Sequence, residues 1–228
     1  MPSINTNSRL KEYQEFIRIV YGLPNDRHFN SNDMLANVER FIMRGLKGIR
    51  KNDQAKIKTN LVIALSWFTS LMNQLHIDIE KEIWERFPYL CSYCGNCPCS
   101  CKKEKLTERQ MIVTDNKKRP KSLSGFQEMF EKIYPSKYRT VEHAGIHLAE
   151  EMGELSESFL AYQGNRDKSD LDKIRLEAAD LFSCLMGIFN SIKIDLAAEL
   201  SNIFSNNCHV CKKAPCECSF IEIVNFKS

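Results

Sequence analysis

Glycine and proline are scarce in this chain, at nine and seven of 228 residues. That scarcity excludes collagen-like, low-complexity and loop-dominated architectures. An excess of one charge is missing too. The 32 Lys and Arg against 29 Asp and Glu leave a formal charge of +3, too small by itself to imply a nucleic acid or membrane partner. Long apolar runs are also absent. The longest stretch without Lys, Arg, Asp or Glu, 59–77, is broken by Asn60, Ser66, Asn73, Gln74 and His76, so no membrane span is expected. Residues 1–10 are polar and read as no secretory signal. A content of 43% hydrophobic and 27% charged residues is that of a soluble globular protein, long enough for one ordinary domain or two compact ones.

Cysteine, in contrast, is plentiful, and eight of the ten fall in two tight clusters. Cys91-x-x-Cys94-x4-Cys99-x-Cys101 recurs as Cys208-x-x-Cys211-x4-Cys216-x-Cys218. Four thiolates so closely spaced suit a tetrahedral structural zinc better than long-range disulfides, although an iron–sulfur cluster takes the same ligands. Such a site belongs in a reducing compartment, and the expected location is the cytoplasm. Cys97 and Cys184 stand outside the pattern and read as bystanders.

The repeat extends beyond cysteine. Pro98 recurs as Pro215, Phe87 as Phe204, and Asn73…Ile77-Asp78 as Asn190…Ile194-Asp195, all at one offset. At a slightly smaller offset, Tyr13-Gln14-Glu15…Tyr21 lies over Phe126-Gln127-Glu128…Tyr134. The chain therefore divides into a first copy, 1–101, a charged linker, 102–122, and a second copy, 123–228.

Both copies read as helical. Leu148, Met152, Leu155 and Phe159 form one apolar stripe at helical spacing. A polar break follows at 163–170, with Gly164 as a helix stop, then an apolar helix over 171–192. Asp195 is a natural N-cap for a last helix, 196–204, and Asp78 holds the same place in the first copy. Strand-like alternation is confined to a weak candidate at 221–226. The fold class is all-α.

The second copy carries the candidate chemistry. Glu150-Glu151-x-x-Glu154 places Glu150 and Glu154 one turn apart on the face away from the apolar stripe, with Glu151 between. Charged outer faces are the ordinary state of amphipathic helices, so this run alone says little. Glu177-x-x-Asp180 says more, because Asp180 is the only charged residue between 178 and 192. A carboxylate buried there requires compensation, either by a divalent cation shared with Glu150, Glu151 and Glu154 or by an ion pair with Arg175 or Lys173. In the first copy Asn60 and Ile63 replace Glu177 and Asp180, and the preceding helix keeps only Glu39 amid Arg40, Arg44 and Lys47. That copy has lost the acidic set.

Glu150-Glu151-x-x-Glu154 followed by Glu177-x-x-Asp180 resembles the EExxE…ExxD pattern of the MazG-like, all-α NTP pyrophosphatases. The wider strings Leu148-Ala149-Glu150-Glu151-Met152-Gly153-Glu154-Leu155 and Glu177-Ala178-Ala179-Asp180-Leu181, with Ile194-Asp195-Leu196, match its style over about 141–204. The resemblance implies hydrolysis of a nucleoside triphosphate, ribo or deoxy, to monophosphate and pyrophosphate. The cofactor would be Mg²⁺ or Mn²⁺, with Glu150, Glu151, Glu154, Glu177 and Asp180 as metal ligands and one glutamate orienting or deprotonating the water. It also implies four-helix units in dimers or tetramers. Here two tandem MazG-like units, each ending in a four-cysteine zinc module, would pack as a pseudo-dimeric bundle, and a further homodimer is allowed. Many members carry Lys and then Asn or Arg after the position of Asp195, where this chain has Asn202, Ile203, Asn206 and Asn207.

A rival of another class is a zinc-stabilised protein that senses a nucleotide or contacts RNA without turnover. Arg44, Lys47, Arg50, Lys51, Lys56 and Lys58 make the middle of the first copy basic, which reads first as a solvated surface. His143 and His147, ahead of the acidic motif, read as structural.

Overall fold

The computed structural model describes residues 3–104 and 106–226, and among them the regular structure is helical throughout, with no strand. The α-helices are α1 (Leu10–His28), α2 (Ser31–Arg50), α3 (Gln54–Gln74), α4 (Ile79–Arg86), α5 (Leu123–Ile133), α6 (Val141–Asn165), α7 (Lys168–Ser191), α8 (Leu196–Phe204) and α9 (Phe220–Val224). Short polar side chains set several starts. Asn30, Asp53, Ser122, Thr140 and Asp167 each accept a backbone N–H of the first turn that follows. The polar break is shorter than expected: α6 runs through Gly164 to Asn165, and Arg166 takes the left-handed conformation that ends it, at φ 57°. The alternating residues at 221–226 form the short helix α9 and a following coil rather than a strand. Among the described residues no single helix is long and apolar enough to cross a membrane.

The chain folds into two compact units whose boundaries are not those of the sequence copies. The first unit takes the residues up to Asp78 and those from Leu196 on; the second is Ile79–Asp195. Each unit thus contains three helices of one copy and the fourth helix and cysteine module of the other. In the first unit α8 packs with α3, and in the second α4 packs with α7.

The two units repeat the same side-chain contacts. In the first, the Gln14 side-chain amide donates to Asn73 Oδ1 at 3.0 Å and to the Ile77 carbonyl at 2.7 Å, while Asn73 donates back to the Gln14 carbonyl at 3.1 Å. In the second, Gln127, Asn190 and Ile194 make the same bonds at 3.0, 2.7 and 3.1 Å. Phe204 meets Tyr21 edge-on at 6.2 Å, and Phe87 meets Tyr134 edge-on at 6.2 Å. The residues that align in sequence therefore do equivalent work, but Tyr21 is served by the second copy's Phe204 and Tyr134 by the first copy's Phe87.

Apolar burial holds each unit. Phe16, Phe41, Phe68 and Phe204 are at most 1% exposed in the first, and Phe87, Phe126, Phe130 and Phe182 in the second. Glycine permits the close approach of α2 and α3: a Cβ on Gly45 would stand 2.6 Å from the Leu61 side chain. The linker is not wholly free of the fold. Its turn at Asn116–Lys118 docks on α4, where Trp84 Nε1 donates to Asn116 at 2.8 Å and Arg119 pairs with the buried Glu80 at 3.0 Å.

Candidate acidic site and cysteine modules

Helices α6 and α7 pack along their apolar stripes, and this brings Glu151 against Glu177 and Asp180. Carboxylate oxygens of these three residues lie within 4.8 Å of one another. Glu154 completes the cluster at its edge, within hydrogen-bonding reach of Glu177. Glu150 is apart from it: its carboxylate is exposed and sits 3.0 Å from His147 Nδ1, and the His147 ring packs edge-on against His143 at 4.5 Å. Of the five sequence-derived candidates, then, three converge, one adjoins them and one faces solvent.

The compensation of Asp180 comes from neither residue weighed in the sequence. Lys173 pairs with Asp170 and Arg175 with Asp172. Asp180 is held instead by Arg86, at the end of α4, whose Nε and Nη2 donate to the two carboxylate oxygens at 3.1 and 2.6 Å. Both side chains are about one-seventh exposed, at 13% and 14%. A planar guanidinium matches a carboxylate in this two-bond fashion, which fixes orientation as well as charge. Sequence reasoning missed Arg86 because it sought cations after Asp195. The helix that actually faces this cluster is α4, which brings Arg86 where α8 would have brought Ile203.

One guanidinium does not balance the cluster. Burial, then the charges of Asp180, Glu154 and Glu177, push the Glu151 carboxyl up from 4.5 to about 8, with Arg86 opposing. Its Oε2 is buried and has no hydrogen-bond partner. Glu177 is raised for the same reasons. With like charges crowded and one oxygen unsatisfied, the group of Glu151, Glu177 and Asp180 could hold a metal ion.

The cysteine modules are built alike. Sγ–Sγ distances are 3.7 Å for Cys91–Cys101 and 3.9 Å for Cys94–Cys99, and 3.8 Å for both Cys208–Cys218 and Cys211–Cys216. A tetrahedral zinc with bonds of about 2.3 Å places its sulfurs about 3.8 Å apart, so either quartet could hold one zinc ion. A polynuclear cluster interposes metal and sulfide and needs its thiolates farther apart. Backbone N–H groups of Ser100, Val210, Glu217 and Cys218 point at cysteine sulfurs at 3.4 Å, as thiolates require. Cys97 is exposed and Cys184 lies on α7, both outside the quartets.

Each module is hooked to a first helix by one backbone bond. Cys216 N–H donates to the Val20 carbonyl at 2.7 Å, and Cys99 N–H to the Ile133 carbonyl at 2.8 Å. Pro24 explains the first: lacking an N–H, it cannot take the Val20 carbonyl in the helical ladder. Ile133 is the last residue of α5, so its carbonyl is likewise free of the ladder. Compared with protein-family models, with curated proteins and with solved structures, the chain finds no match.

Proposed function

We propose that the second unit is a Mg²⁺-dependent nucleoside triphosphate pyrophosphohydrolase of the MazG-like kind, releasing monophosphate and pyrophosphate. The observation that carries this reading is the convergence of Glu151, Glu177 and Asp180, from two packed helices, within 4.8 Å of one another. Bound at these oxygens, magnesium supplies neutralisation of the polyphosphate and acidification of water. Glu151, Glu177 and Asp180 are the metal ligands, and Glu151, whose Oε2 has no hydrogen-bond partner, is also the carboxylate that orients or deprotonates the attacking water. Glu154 supports Glu177. Arg86 holds Asp180 in place and is a cation at the cluster that could meet the substrate's phosphates. The first unit lacks the acidic set, with Asn60 and Ile63 buried at those positions, and serves as scaffold.

The two quartets are structural zinc sites in this reading. A second reading, nucleotide binding without turnover, draws on Arg86, whose fork already engages both oxygens of Asp180. A panel of ribo- and deoxynucleoside triphosphates with Mg²⁺, assayed for pyrophosphate, separates the two. Turnover abolished by Glu151→Gln and by Asp180→Asn supports the enzyme. Tight triphosphate binding without pyrophosphate supports the binder.

A further inference from the structure

In the first unit, Ile63 stands where the second has Asp180, and it lines a partly open cavity of about 50 Å³. The walls are aromatic and apolar: Phe41 from α2, Trp67 from α3, His209 from the cysteine module, and Ile223 and Phe226 from the segment that follows it. At this segment sit two arginines one helical turn apart. Arg40 Nη1 donates to the Val224 carbonyl at 2.9 Å, and Arg44 Nη1 to the Phe226 carbonyl at 3.0 Å. Both guanidiniums also lie over the Phe41 ring, at 4.7 and 5.1 Å from its centre.

Three features mark this arrangement as incomplete. Nε and Nη2 of Arg40 are buried without partners, and so is Nε2 of His209 on the cavity wall. Two cations share two neutral carbonyls, and burial together with the charge of Arg44 disfavours the Arg40 cation. The covering segment is weakly anchored, since α9 has no buried residue and leaves Phe220, Ile221 and Val224 at 49%, 68% and 40% exposure. A buried donor left unpaired is unfavourable, the more so when charged, and an anion would satisfy donors that a carbonyl cannot.

We propose that the first unit binds a small aromatic molecule bearing a phosphate or carboxylate. Its anion is held by Arg40 and Arg44 and its ring lies among Phe41, Trp67 and His209, in place of 220–226. The segment is thus an internal competitor for the site. The present cavity is about 50 Å³, a third of the roughly 150 Å³ that admits benzene, so a ring enters only when the segment lifts.

Calorimetric titration of the full chain with phenyl phosphate, benzoate and inorganic phosphate tests this. Phenyl phosphate or benzoate should bind at least tenfold more tightly than inorganic phosphate, and which of the two is tighter identifies the anion. Ile223→Asp, which loosens the segment, should tighten ring-anion binding about tenfold or more, as should a chain ending at Ser219. Arg44→Ala discriminates further. It loosens the segment as well, so a mere clip predicts tighter binding, whereas a ligand contact predicts at least tenfold weaker binding. No heat with either ring anion in wild type and in Ile223→Asp overturns the proposal. So does unchanged or tighter binding in Arg44→Ala.

Discussion

Arg86 and Asp180 form a two-bond ion pair, 3.1 and 2.6 Å, between the first copy's last helix and the second copy's acidic helix. Removing one partner of a largely buried pair leaves the other charge uncompensated, at a cost of about 3–5 kcal/mol. Arg86→Ala should therefore lower urea-unfolding stability by about 3 kcal/mol without added Mg²⁺. Because the variant also frees Asp180 and deletes a repelling cation, Mg²⁺ should restore more stability to it than to wild type. Equal Mg²⁺ responses in the two proteins would separate Asp180 from any metal set.

The raised Glu151 carboxyl gives the site a pH signature. The folded state holds this proton to about pH 8 and the unfolded chain releases it at 4.5, so between those values the folded state binds more protons. Stability without divalent cation should fall as pH rises from about 4.5 to about 8 and level off above, and Glu177 adds in the same direction. A cation must displace that proton. Its affinity should climb about tenfold per pH unit below about 8, with one proton released per cation bound. Mn²⁺ titration calorimetry in buffers of different ionisation enthalpy reads the proton count directly; a count of zero below pH 8 removes Glu151 from the ligands. Glu151→Gln should flatten the stability profile and weaken the cation.

Metal analysis of anaerobically purified protein should find about two zinc ions per chain, one for each quartet. Replacing Cys91 and Cys94 with Ser should remove one ion and destabilise the second unit, where that module docks through Cys99 and Ile133. Replacing Cys208 and Cys211 should remove the other and destabilise the first. Protein free of bound metal, or rich in labile sulfide, contradicts this.

Gln14 and Gln127 make matched clasps, so their truncations should cost alike. Gln14→Ala and Gln127→Ala each strip two side-chain bonds and orphan a carbonyl, for about 1–3 kcal/mol. Denaturant unfolding measures both; a loss below about 0.5 kcal/mol in either makes that clasp incidental.

The duplication was legible because paired residues such as Tyr21 and Tyr134, or Gln14 and Gln127, keep both identity and spacing. The helical class followed from the apolar stripe, and the convergence of Glu151, Glu177 and Asp180 from its relation to the acidic spacing. The exchange of fourth helices was not legible. α4 and α8 bury the same positions, Ile79 and Ile83 in one and Leu196 and Leu200 in the other. Either apolar face suits either bundle, so periodicity cannot say which copy it completes. The one asymmetry that could have told was Arg86, which has Ile203 as its counterpart and answers the charge of Asp180. Glu150 was misplaced for a simpler reason: neighbouring helix positions differ by about 100° in direction, and only one of two consecutive glutamates can face α7.

The exchange also bears on inheritance. A gene shortened to residues 123–228 would keep every candidate carboxylate, yet its product would lack Trp84, Phe87 and the guanidinium that steadies Asp180, and Tyr134 would lose its cysteine module. Shortening from the other end leaves Tyr21 and Val20 equally bereft. The first copy, with Asn60 and Ile63 in place of the carboxylates, is therefore not dispensable: its last helix and its cysteine module complete the unit of its sibling.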